Sequence, residues 1–362
     1  MINVLIVDDS PVVREFLIHV LGSDPQIRVI GTAANGEEAL EAAGRKKPDV
    51  ITMDIHMPKM DGFEATRRIM ETSPVPIIIV SGSSTTDEVA TAFHALEMGA
   101  LTVVPKPNGL GHAEYETTAR ELVQTVKLMS EVKVVKRWAR QSRAATTAPR
   151  PAPAGETAIK HAHPARIELV AIGASTGGPQ VLHTILSALP GDFPAPVLVV
   201  QHIANGFLQG LVEWLAGTCA LPVCIAQHNM SLQPGQVYVA PDGLQMGVRQ
   251  GGIINLFPGE PEDGHRPSVT YLFRSVAEVY GRNAVGILLT GMGKDGAEGL
   301  KRMKERGAVT IAQDERTSIV HGMPGEAINQ DAVMYVLTPD EITVKLKNCS
   351  TSEKSRNPGD LN

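Results

Sequence analysis

The chain has 362 residues, long for one hydrophobic core and enough for roughly two domains of 100 to 200 residues. Its net charge of −6, with no clustered Lys and Arg, excludes an extended phosphate-binding face, so no nucleic-acid partner is expected. Cys219, Cys224 and Cys349 form an odd set without CxxC spacing, and no apolar run approaches the roughly 20 residues that span a bilayer; a soluble, cytoplasmic protein with inert thiols is expected, not one inserted in a membrane.

In chain order, the first 125 residues alternate apolar strands with amphipathic helical runs. NVLIV, IRVIGTA, DVITMD, PIIIVSG and LTVVP read as strands, with helices such as Pro11 to Leu21 and Gly36 to Gly44 between them. Five strands with crossover helices imply a doubly wound parallel sheet of flavodoxin type, in which ligands collect beyond the carboxyl ends of the strands. Those ends carry Asp8 and Asp9, Asp54, Ser81 and Lys106. Three acids in one pocket repel unless a cation joins them, and an all-oxygen set suits Mg²⁺. Asp54 is then free to attack a phosphoryl group. Taken singly, Asp8 or Asp9 could instead cap a helix, and Lys106 could be an ordinary surface lysine.

A helix is expected from Ala113 to about Trp138, followed by a linker rich in Ala, Pro and Thr to about Arg166, too poor in large apolar side chains to form a core. Residues 126–165 are read as helix extension and linker, with His161 and His163 as solvated side chains. A second α/β domain is expected over residues 166–347, and 348–362 as a polar tail. Its strand candidates are ELVAIG, PVLVVQ, QVYVAP, IINLF, AVGILLT, AVTIAQ and MYVLT. The run from QVYVAP to IINLF alternates like antiparallel ribbon around Asp242-Gly243 and Gly251-Gly252, so a mostly parallel sheet with a hairpin is expected.

AIGASTGGPQ brings a strand (Ile167 to Ile172) through a glycine-flanked turn into a helix (Pro179 to Leu189), with Ser175 at the apex. His202 follows the strand VLVVQ, and Asp295 lies in TGMGKDG after AVGILL. A serine needs a base to take its proton, and a histidine needs a carboxylate to hold its tautomer. Ser175, His202 and Asp295 can fill those roles. The oxyanion donors are either the Thr176 and Gly177 amides or the backbone around Met292. A dinucleotide loop is the sharper rival for the glycine turn, but it expects an acid at the end of the next strand, where Gln201-His202 stands. A phosphorylation-dependent docking module with an inert triad is a second alternative, and a transcriptional output lacks a helix-turn-helix signal.

Val7-Asp-Asp-Ser10, Asp54-Ile-His-Met-Pro58 with Asp61-Gly62, Ser81 and Pro105-Lys-Pro107 resemble a response-regulator receiver domain. That resemblance implies Asp54 as phosphoacceptor, Asp8 and Asp9 holding Mg²⁺ with it, and Ser81 and Lys106 contacting the phosphoryl oxygens. AIGASTGGP, VVQH, HRPSV, LTGMGKDG and DERTSIVHGMP resemble the catalytic domain of chemotaxis protein-glutamate methylesterases. The order receiver, linker, catalytic domain is that family's architecture. The resemblance implies a triad of Ser175, His202 and Asp295, no cofactor for ester hydrolysis, glutamate γ-methyl esters on cytoplasmic helices of methyl-accepting chemoreceptors as substrate, glutamine deamidation as a second reaction, and a histidine kinase as phosphodonor. His265 is then expected only to hold a loop or pack at the rim. His56, in place of the acid often found before Met57-Pro58, and the long proline-rich linker are the departures.

Overall fold

The computed structural model describes residues 1–82, 86–109, 111–112, 114–132, 134 and 167–351. The first body alternates β1 (Ile2–Val7), α1 (Pro11–Gly22), β2 (Ile27–Ala33), α2 (Gly36–Lys46), β3 (Val50–Met53), α3 (Gly62–Thr72), β4 (Ile77–Ser81), α4 (Thr86–Met98), β5 (Thr102–Pro105) and α5 (Tyr115–Ser130). Its sheet is parallel in the order β2-β1-β3-β4-β5, the flavodoxin-like order expected. Short polar side chains start the helices. Ser10 accepts from the Val13 amide ahead of Pro11, Asp61 accepts from Glu64, and Asn35 and Glu38 form a reciprocal box that satisfies the Glu38 and Ala34 amides. α5 is shorter than the helix expected from Ala113 to Trp138; residues 135–138, the linker and its two histidines lie outside the described residues.

The second body runs β6 (Leu169–Ala174), α6 (Gly178–Ala188), β7 (Val197–Gln201), α7 (Leu208–Thr218), β8 (Val223–Ile225), β9 (Val237–Val239), β10 (Gln245–Arg249), β11 (Ile253–Phe257), α8 (Val269–Val279), β12 (Ala284–Leu288), α9 (Ala297–Glu305), β13 (Val309–Gln313), α10 (Gly322–Asn329), β14 (Tyr335–Leu337) and α11 (Pro339–Thr351). Seven strands form a parallel sheet in the order β14-β13-β12-β6-β7-β9-β8. β10 and β11 make a separate antiparallel pair. QVYVAP therefore leaves the ribbon suggested by its alternation: buried on both faces as β9, it is a strand of the parallel sheet. β8 has no counterpart among the expected strands, being three residues long and only partly buried. α11 continues into the stretch expected as tail, because Ile342 and Leu346 are buried against the core.

The two bodies touch along α4 and α7. Gly210 of α7 lies so close to α4 that a Cβ there would stand 2.5 Å from Val89 Cγ1 and 2.7 Å from the Ala90 nitrogen. Trp214 of α7 stacks on Phe93 of α4 at 5.7 Å between ring centroids and on His183 of α6 at 4.8 Å, and its Nε1 donates to Glu97 Oε1 at 2.8 Å. One apolar cluster consequently runs through both bodies by way of Phe93 and Trp214.

Candidate active site

Ser175 follows β6, at the edge where a parallel sheet gathers its strand ends. The turn is fixed from both sides: the Ser175 amide donates to Thr290 O at 3.0 Å, and Gly178 N donates to Ser175 O at 2.8 Å. Gln201, almost fully buried at the end of β7, donates Nε2 to Ser175 O and to His202 O, both at 2.8 Å. Gly177 takes φ 77° as the first residue before α6, a conformation that favours glycine. Gly291 lets the neighbouring loop close on the serine, since a Cβ there would meet Ser175 Cβ at 2.7 Å.

His202 comes next after β7, its amide tied to Ala174 O at 2.9 Å. Its Nε2 stands 2.9 Å from Asp295 Oδ2, and a carboxylate at that distance selects the tautomer with hydrogen on Nε2. Nδ1 is buried and has no hydrogen-bond partner among the described residues. With Nε2 committed to Asp295, it is the only ring nitrogen able to take a proton from Ser175; no hydrogen bond from Ser175 to it is formed in this state. The Asp295 carboxylate, 1% exposed, also accepts from Ser268 Oγ at 2.9 Å, the Val269 amide at 2.8 Å and the Thr270 amide at 2.8 Å. These donors are the cap and first turn of α8, where the helix dipole also favours an anion. Burial alone would raise the Asp295 carboxyl, but the His202 hydrogen bond and charge and the two amides hold it down at about 2.

Ser268 and Val269 stand in the HRPSV motif without an assigned role and Thr270 was not named, although Ser268 ahead of an amphipathic run is a cap signal. Gln201 and Thr290 were missed for lack of any local pattern. Thr290 Oγ1 donates to Thr176 O at 3.0 Å and accepts from Val320 N at 2.9 Å, knitting the Ser175 turn to the loop before α10. The amides of Thr176, Gly177 and Met292 donate to no acceptor among the described residues. Thr176 and Met292 line one cavity of about 400 Å³ with Ser175, His202 and His265. The opposite wall is α5 of the first body, which presents Thr118, Glu121, Gln124 and Thr125. Burial, and then Glu114, raise the Glu121 carboxyl.

In the first body, Lys106 Nζ lies 2.7 Å from Asp8 Oδ2 and 2.9 Å from Asp54 Oδ1. Asp8 and Asp54 are buried, whereas Asp9 is exposed. Burial raises the Asp54 carboxyl, Lys106 opposes this, and Asp8 and Asp9 add to it. Asp8, Asp9 and Asp54 act on one another electrostatically, and the Lys106 ammonium bridges Asp8 and Asp54. The donor chemistry nonetheless fits a hard divalent cation, with three acids against one lysine. Ser81, buried at the end of β4, has its carbonyl bonded to the Lys106 amide at 2.8 Å.

Comparison with known proteins gives two family models on the chain: CheB methylesterase over residues 170–346 and response regulator receiver domain over residues 4–114. The chain is 56% identical to a protein-glutamate methylesterase/protein-glutamine glutaminase of Nitrosospira multiformis, covering 96% of this chain and 97% of that one. It is also 56% identical to protein-glutamate methylesterase/protein-glutamine glutaminase 1 of Syntrophus aciditrophicus, over 94% of this chain and 96% of that one. A Thermotoga maritima CheB methylesterase catalytic domain structure is similar at 38% identity and a TM-score of 0.49, covering 50% of this chain and 98% of that one. With both family models in this order and such identity over nearly full length, the chain belongs to the CheB methylesterase family, hydrolases that carry a response-regulator receiver domain.

Proposed function

We propose that the chain is a phosphorylation-activated protein-glutamate methylesterase that acts through Ser175, His202 and Asp295. Its substrates are γ-methyl esters of glutamate on the cytoplasmic helices of methyl-accepting chemoreceptors, and it deamidates receptor glutamines at the same site. The relatives' names support the substrate class, and the observation that carries the residue roles is the His202–Asp295 pair, clamped at the start of α8, in one cavity with Ser175.

His202 Nδ1 accepts the Ser175 proton as Oγ bonds to the ester carbonyl carbon, and the carbonyl oxygen becomes an oxyanion. The free amides of Thr176, Gly177 and Met292 are the available donors to it. Asp295, ionised throughout, stabilises the imidazolium. His202 then returns the proton to the departing methanol, and in the second half takes a proton from water, which attacks the acyl-enzyme and releases glutamate. With a glutamine the leaving group is ammonia, and the acid step is more demanding.

In the receiver, residues 1–125, Asp54 takes a phosphoryl group from a histidine kinase. Asp8, Asp9 and Asp54 would hold Mg²⁺, which when bound neutralises charge on the phosphoryl oxygens. Lys106 then exchanges its ion pair with Asp54 for one with the phosphoryl group, and Ser81 supplies a hydroxyl to it. Because α5 forms the wall opposite Ser175, phosphorylation acts by favouring an arrangement in which that wall has withdrawn. The cytoplasm is the compartment that holds both the kinase and the receptor helices.

Methanol release from methylated receptor membranes tests substrate and nucleophile together. Ser175→Ala should abolish it while the thermal melt stays that of the parent chain; retained release rejects the assignment.

A further inference from the structure

The segment from His265 to Thr270 bears on both partners of Ser175. Its second half, Ser268 to Thr270, clamps Asp295. Its first residue lays an imidazole flat on His202: the two rings stack with centroids 3.8 Å apart and planes 9° from parallel. Both rings line the cavity that holds Ser175. We propose that His265 is a positioning residue for the hydrolysis, fixing the plane of His202 and presenting a neutral π-face to the imidazolium that forms there. The inference rests on the triad assigned above.

A histidine held by a single hydrogen bond at Nε2 can still tilt about the Nε2···Oδ2 line, and tilt would carry Nδ1 away from the serine. A second ring in parallel contact removes that freedom. The contact is itself braced, because the loop bearing His265 is not left to drift. His265 and Glu262 exchange backbone hydrogen bonds at 2.9 and 3.1 Å. Buried Gln245 reaches Glu260 O at 2.9 Å with its Nε2 and takes the Ser268 amide at 2.9 Å on its Oε1, pinning both ends of the loop.

The stack is also selective about charge. A cation above an aromatic face is stabilised, whereas two stacked imidazoliums repel. Burial first, and then the neighbouring His202, keep the His265 imidazole from taking a proton, against the pull of Asp295 and Asp263. The other charged groups around it are Lys294, paired with Asp263 at 3.4 Å, the Glu262–Arg274 pair at 2.6 Å and Glu121 across the cavity from α5.

The test uses the full chain with a small-molecule phosphodonor and methylated receptor membranes, comparing His265→Ala and His265→Phe with the parent. His265→Ala should lower kcat roughly 10- to 100-fold with KM changed less than about twofold, the size of effect expected when a base is slightly misplaced. His265→Phe, which keeps a flat ring, should recover activity to within about threefold. It should leave the steepness of the acid limb of the pH–rate profile as in the parent, because the ring of His265 acts as a neutral face and not as a proton carrier. Parental kcat in His265→Ala would overturn the proposal, as would His265→Phe being as impaired as the alanine variant. Failure of the underlying triad reads differently: Ser175→Ala would then keep releasing methanol. A fold defect would show in the melt of the alanine variant and leave the phenylalanine comparison to decide.

Discussion

Asp295 shows how much the surroundings of one side chain settle its chemistry. Removed from water, it would normally stay protonated well above the usual carboxylate range; three donors from the start of α8 and His202 reverse that. Its folded-state value of about 2 lies below the ordinary 3.8, so it adds stability above the ordinary value. That contribution is lost progressively as pH falls from about 4 towards 2 and is on the order of 2 kcal/mol. Urea unfolding of the parent and of Asp295→Asn at pH 5 and pH 2.5 measures it. The parent should lose about 1–2 kcal/mol more than the variant on acidification; equal losses would mean the clamp does not act on the ionised form. Loss of hydrolysis on mild acidification therefore cannot come from Asp295, which keeps its charge there.

At the scale of elements, α8 must lie against β6 closely enough for its first amides to meet Asp295. Gly173 makes this possible, because a Cβ at that position would stand 2.1 Å from Val269 Cγ1. Gly173→Ala should push the start of α8 outward, costing about 1–3 kcal/mol in a denaturant melt and at least tenfold in kcat; a variant with parental kcat would show that the helix tolerates displacement. The parallel alternation of strands and helices and the position of Ser175, His202 and Asp295 in turns after strands were legible in the sequence, since parallel strands read as unbroken apolar runs and their ends are where polar residues interrupt them. β8 was not, because Val223–Ile225 is too short to carry a period. The place of β9 was misjudged for the opposite reason: its neighbours Asp242-Gly243 supply a hairpin signal that the chain uses as a loop instead. His265 sits in a loop positioned by Gln245 from a distance, which no local pattern encodes.

At the scale of the molecule, the contact of α4 with α7 and the placement of α5 are products of two surfaces meeting. Thr118, Glu121, Gln124 and Thr125 carry no signal in the expected helix, and only the second body turns them into a wall. Trp214 stacks on Phe93 and bonds to Glu97 across that contact, and His183 of its own body stacks on it too. Trp214→Ala should raise the methanol release of the unphosphorylated chain several-fold and shrink the gain on adding a phosphodonor, since about 1.4 kcal/mol taken from the closed arrangement shifts its population tenfold. An unchanged basal rate would place control elsewhere. Burial first, and then His94, also keep His183 from protonating, against Glu97. With its folded-state proton affinity below the ordinary value, His183 makes the fold less stable as pH falls below about 6.5, the ordinary histidine value.

The space between α5 and Ser175 has one more consequence. It measures about 400 Å³ and has α5 as one wall, whereas a helix with its side chains is about 10–12 Å across. Under the proposed switch, a barrier made of bulk would weigh on a receptor helix and far less on a small electrophile such as a fluorophosphonate. The size of the reactant would then decide how much of the control it meets.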